Sequence, residues 1–192
     1  MNPEFYTYLR TQSTLGGEEI EEIGAAATPR SLQKGELLLQ EGHICRHKTF
    51  VVKGLLRTFG VVDDGSERIL QFSPEHTWTL DAESYDRQTP TPFNIGAVEP
   101  SEVLTWTKTD FDRLLKDIPA LQTWSQQLIS RNHHSSRQRL FAAISATPEE
   151  KYEEFVRTSP DLLGRLPLHM IAGYLGMSLK TLTRIRHAQL HR

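Results

Sequence analysis

Between residues 37 and 107 the chain is cut at glycines into short β-rich runs, and from Asp110 onward the apolar spacing becomes helical. That change of period constrains the fold more than any other feature. Runs 37–39, 49–52, 55–62, 68–72, 93–98 and 103–107 read as strands, with Asp64-Gly65 as a hairpin turn between two of them. Several short strands so closely spaced predict a sandwich or a roll. The first thirty residues read as short helices, with Ile20 and Ile23 on one side. After the strands, Thr109 is expected to cap a helix over 110–116 that carries Phe111, Leu114 and Leu115 on one side. Pro119 then opens a segment without internal Gly or Pro reaching about Ile144, roughly 39 Å of helix at 1.5 Å per residue. Leu121, Trp124 and Leu128 have heptad-like spacing, read here as a dimer seam in preference to packing against the roll.

The strongest local pattern lies at the C-terminal end. Thr147-Pro148-Glu149-Glu150 is a helix start with a capping box, for a helix expected to end near Val156. A further helix is predicted over 168–175, stopped by Gly176, which tolerates the left-handed conformation. Ser178 can cap a second helix over 179–190, with Leu182 and Ile185 facing inward. Helix, glycine turn, cap and basic helix form a helix-turn-helix pattern, whose second helix enters the major groove of DNA. Ser178, Lys180, Thr181 and Arg184 are the expected base and phosphate contacts. Arg186, His187 and Arg192 are expected on phosphates.

Charge supports the same end. No Asp or Glu occurs from Gly164 onward, where five of the 22 Lys and Arg lie. The segment therefore carries about +5 and the preceding 163 residues about −7, out of a net −2. A basic, acid-free end on an acidic body points to a polyanionic partner. With 38 % hydrophobic and 24 % charged residues the chain has the composition of a soluble globular protein, and no apolar run approaches the length of a membrane span. No membrane partner is expected. The first ten residues lack the apolar core of a signal peptide, so a cytoplasmic location is expected. A single cysteine, Cys45, rules out an internal disulfide.

Taken in order, the pieces resemble the Crp/Fnr family of bacterial regulators over nearly the whole chain. Lys34-Gly35-Glu36 with Glu41-Gly42 looks like the opening strands of that family's cyclic-nucleotide-binding-type roll. The stretch from Phe50 through Val51, Val52, Lys53, Gly54, Leu55 and Leu56 to Arg57 resembles its most recognisable strand pair. The hairpin with Asp63-Asp64-Gly65-Ser66-Glu67-Arg68 and the stretch 171–178 with Thr181 and Arg184 complete the match. The resemblance implies an α+β protein with three parts. These are a double-stranded β-helix (jelly-roll) sensor over 1–118, a long dimerisation helix over 119–146 and a helix-turn-helix over 147–192. It further implies a homodimer on double-stranded DNA that regulates transcription and catalyses nothing, with RNA polymerase and a small-molecule effector as further partners. Family members usually continue into a small β-wing, which is not seen before Arg192.

In nucleotide-binding members a Gly-Glu pair holds the ribose and an Arg-Ser or Arg-Thr pair the cyclic phosphate. Here Leu80-Asp81 and Thr91-Pro92 stand at those places. A buried phosphate without a cation is costly, so cyclic AMP and cyclic GMP are not favoured and no cofactor is expected. Asp81, Glu83, Arg87, Thr91 and Asn94 are the candidate ligand-pocket residues. A cupin-like metal site is considered for His43, His47 and Glu41, but without a His-X-His pair no metal is expected. His133 and His134 are about 100° apart on a helix and cannot share one ion. Cys45, beside Arg46 and His47, is a candidate redox thiol with a lowered pKa. The alternative to a regulator is a roll that senses a ligand or protein, with a vestigial hairpin that does not bind DNA.

Overall fold

A computed structural model of the chain describes residues 2–190, with side chains to Ala188. The chain divides into two compact units, residues 1–60 with 71–129, and residues 61–70 with 130–192.

The first unit is a β-roll with helices on one side. Helices α1 (Pro3–Gln12) and α2 (Gly17–Ala25) precede strands β1 (Thr28–Leu32), β2 (Leu37–Leu39), β3 (His47–Lys53) and β4 (Leu56–Val61). Strands β5 (Glu67–Ser73) and β6 (Trp78–Thr79), helix α3 (Ala82–Arg87), β7 (Asn94–Ala97) and β8 (Ser101–Thr107) follow. Two four-stranded sheets result, in the orders β1-β8-β3-β6 and β2-β7-β4-β5. Two strands were not legible as such. β1 is an exposed edge of sequence TPRSL with only Leu32 buried, and β6 has just two residues.

Strands β3 and β8 are buried on both faces, because side chains alternate across a strand. Phe50, Val52, Leu104 and Trp106 point to the helices; Val51 and Val103 join Leu32, Leu56, Ile95 and Ala97 between the sheets. The helical side is a cluster of aromatic rings. Trp106 is fully buried, lies 5.2 Å from Phe5 and 5.1 Å from Trp78, and its indole N–H donates to the Ile23 carbonyl at 2.8 Å. At the β3–β4 turn Gly54 has φ +92°, and a Cβ there would lie 2.6 Å from the Pro100 carbonyl oxygen, so no larger residue fits.

Helix α4 (Lys108–Asp117) is capped by Thr107 and not by Thr109: the Thr107 hydroxyl accepts from the Asp110 N–H at 3.1 Å. Thr107 pairs with His47 as the last residue of β8, so the strand delivers it to the cap position. Helix α5 (Pro119–Ser145) has the length expected. Its first turns correct the dimer seam. Leu121 and Trp124 are buried in the aromatic cluster with Leu128 packed against it, and the Trp124 indole N–H donates to the Gln12 carbonyl at 2.9 Å. An apolar stripe at this spacing serves a core as well as a partner helix.

In the second unit α6 (Pro148–Thr158) starts with the capping box between Thr147 and Glu150, and the one-turn α7 (Pro160–Leu163) follows. Helices α8 (Leu168–Leu175) and α9 (Leu179–Leu190) pack with α6. Tyr152, Phe155, Leu166, Ile171, Ala172, Leu182 and Ile185 are among its buried side chains. The Arg139 guanidinium lies 4.6 Å from the Tyr174 ring centre and donates to the Leu70 carbonyl. Among the described residues no helix is long and apolar enough to cross a membrane.

One charge sits badly in the first unit. The Lys48 ammonium is 4.3 Å from the Phe111 ring centre and 5.7 Å from that of Trp78. Burial pushes its pKa down to about 8, against the opposing pull of Asp86 and Asp112. Below pH 8 the folded state must carry a partly desolvated cation, and that cost disappears as the pH rises from 8 through the unfolded-state value. Lys48→Met is therefore expected to stabilise the roll at pH 7 by about 1–2 kcal/mol after solvent screening. The gain should shrink towards pH 10, as read from thermal midpoints of the two proteins across that range.

Candidate nucleic-acid interface and roll cavity

Gly176 ends α8 in the left-handed region, with φ +68°. The Met177 N–H donates back to the Ala172 carbonyl at 3.0 Å, which satisfies the helix end. Ser178 opens α9: its Oγ accepts from the Thr181 N–H at 3.1 Å and lies 2.8 Å from the Thr181 hydroxyl. Leu182 and Ile185 turn inward to full burial, which fixes the opposite side of α9 towards solvent. Lys180 and Arg184, one helical turn apart, are both exposed there, and His187 is exposed too, while Thr181 and Arg186 are half-buried. Arg192 lies outside the described residues.

The unforeseen partner is Glu149 in the first turn of α6. Its carboxylate holds the Arg184 guanidinium at 3.0 Å, and both side chains remain largely exposed. Lys180 has no ion pair among the described residues. The surface thus offers one free ammonium and one guanidinium held by a carboxylate that a phosphate or guanine edge can displace.

The five candidate pocket residues are not assembled around a ligand. Asp81 caps α3 by accepting from the Ser84 N–H at 3.2 Å, and its other oxygen accepts from the Thr91 hydroxyl. The residues at the two cassette positions therefore satisfy one another. Glu83 and Arg87 pair at 3.2 Å on the surface, and the Asn94 side-chain oxygen accepts from the Glu41 N–H at 3.0 Å.

A cavity of about 730 Å³ lies instead within the first unit, lined from β1, β2, β3, β6, β7, β8 and the stretch 43–47. None of the five faces it. Thr105, Thr49 and Thr79 line it from three adjacent strands, in register Thr105↔Thr49 and Thr49↔Thr79. Leu37, Leu38, Leu39, Leu80 and Ile95 form its apolar side, and Arg30, His43, Arg46 and His47 are its basic residues. Burial and the charges of Arg30 and Arg46 lower the His47 pKa, which disfavours its cationic form. Cys45 corrects another expectation. Its thiol is buried, and desolvation pushes its pKa up in spite of its basic neighbours, the opposite of a reactive thiolate. The cavity escaped the sequence reading because its threonines come from strands far apart in the chain. No group of three or more His, Cys, Asp or Glu among the described residues could hold a metal ion.

Comparison with known proteins agrees with this architecture. Residues 29–117 match the cyclic nucleotide-binding domain family. The transcriptional activator protein anr of Pseudomonas aeruginosa is 27 % identical over 171 residues, covering 81 % of this chain and 68 % of its own. Among solved structures, FixK2 from Bradyrhizobium japonicum superposes with a TM-score of 0.72 at 19 % identity, over 86 % of this chain and 84 % of that one. A crp/fnr-family protein from Eubacterium rectale gives 0.73 at 17 % identity, over 96 % and 88 %. With a matching domain over residues 29–117, related sequences and a shared fold, the chain is similar to regulators of the Crp/Fnr family.

Proposed function

We propose that this protein is a DNA-binding transcription regulator that acts as a homodimer and is not an enzyme. The observation that carries the reading is the outward side of α9, where Lys180 and Arg184 stand one turn apart behind a capped helix N-terminus in an acid-free segment. Arg and Lys at that spacing reach adjacent base edges, bonding O6 and N7 of guanine, while Ser178 and Thr181 lie where helix starts meet phosphate. Arg186 and His187 add positive charge for the backbone. Relatives named transcriptional activators support the same role.

Helix α5 supports a second copy. Leu140, Phe141 and Ile144 lie within one helical turn at 62 %, 72 % and 79 % exposure. Leaving three large apolar side chains in water forgoes about 1.5–3 kcal/mol each, a gain that a symmetric partner helix supplies. Residues 1–118 then act as the sensor, 119–146 as the dimer helix and 147–192 as the DNA-binding part. A cytoplasmic location, an effector in the roll and RNA polymerase as a further partner complete the proposal.

Lys180→Ala combined with Arg184→Ala is expected to weaken binding to the protein's selected duplex at least 100-fold and to flatten the preference for it, with the circular dichroism spectrum unchanged. Equal affinity for wild type and double variant contradicts the reading. Glu149→Gln releases Arg184 from an exposed pair worth about 0–1 kcal/mol, so affinity should rise by up to about fivefold in the same titration.

A further inference from the structure

The Thr49 and Thr79 side chains are only 2 % and 3 % exposed, line the cavity, and have no protein hydrogen bond among the described residues. Thr105, the third member of the row, spends its hydroxyl on the Thr28 carbonyl at 3.1 Å. Two hydroxyls that line the cavity without a protein partner are open to hydrogen bonds from a ligand. Across from them runs an apolar wall of leucines and Ile95. A cavity of this size with an apolar wall and a few converging polar groups has the build of a small-molecule site.

The charge of the lining selects the ligand. It contains no carboxylate among the described residues. Arg30 is already paired with Glu36 at 3.0 Å, and the cationic form of His47 is disfavoured by burial and by Arg30 and Arg46. Arg46 is left as the one guanidinium of the lining without an ion pair among the described residues. One uncompensated positive charge matches a single negative charge, and the leucine wall matches an aliphatic body.

We propose that the roll cavity binds a small aliphatic monocarboxylate. Its head is held by Arg46 and the Thr49 and Thr79 hydroxyls, and its chain lies against Leu37–Leu39, Leu80 and Ile95. This deepens the sensor reading of the roll, but binding is measured without DNA, so failure of either idea is distinguishable from failure of the other.

The probe is octanoate, titrated calorimetrically into the full-length protein, with 1-octanol as the uncharged counterpart. Saturable one-to-one binding below ~1 mM is expected, at least tenfold tighter than octanol, with methyl NMR shifts centred on Leu38, Leu80 and Ile95. Arg46 is exposed, so Arg46→Gln should fold normally. It should weaken octanoate at least tenfold and leave octanol unchanged, and Thr79→Val should weaken octanoate about three- to tenfold. Absence of saturation, equal affinity for acid and alcohol, indifference to Arg46→Gln, shifts mapping elsewhere, or tighter binding of cyclic AMP at the same methyls would each overturn the proposal.

Discussion

The indole of Trp106 is fully buried at the end of a sheet that has almost no solvent-facing side along β3 and β8, and it donates to the carbonyl of Ile23. Much of the first unit follows from that placement. Because β3 and β8 are covered on both faces, their alternate residues must serve two cores, one aromatic under the helices and one aliphatic between the sheets. The aromatic side draws in Phe5 from α1, Ile20 and Ile23 from α2, Phe111 from α4 and Trp124 from α5, and so fixes four helices to one face of the roll. A buried indole without its hydrogen bond would be destabilising, and both Trp106 and Trp124 find backbone carbonyls at helix ends.

The same two-sided burial explains where polarity survives. Between the sheets an apolar filling would be expected, yet β3, β6 and β8 present Thr49, Thr79 and Thr105 in one row. Threonine suits a strand by its branching and still brings a hydroxyl inward. In the second unit the logic is reversed. A small core of Phe155, Ile171, Leu182 and Ile185 is enough to orient α9, and its charged residues stay in water, where their desolvation is deferred until a partner arrives. Glu149 holds Arg184 in that waiting state through a pair too exposed to be strong.

Much of the molecule could be read from the residues, and the failures have physical causes. The strands cut by glycines, the Thr147 capping box and the Gly176–Ser178 turn depend on short-range chemistry, and they stand where the spacing put them. β1 was hidden because four of its five residues are exposed, so it has no period. Trp124 misled because an apolar stripe on a helix does not say whether a core or a second helix covers it. The cap at Thr107 was missed because two threonines two residues apart both precede acids, and only the β8 register decides between them. Cys45 was misjudged because neighbouring charges are visible in sequence and burial is not. The exposed basic side of α9 was legible, whereas the Arg184–Glu149 pair joins residues 35 apart and needed the fold.

On the proposed reading, two copies of α9 bind a symmetric site on DNA. Selection of duplexes from a random pool by the purified protein, at two salt concentrations, tests it most directly. The expected result is enrichment of a two-fold-symmetric sequence with half-site centres about 34 Å apart, one turn of the duplex, and an affinity that falls steeply with salt. Enrichment of an asymmetric sequence, or recovery of the pool unchanged at both salt concentrations, would contradict it.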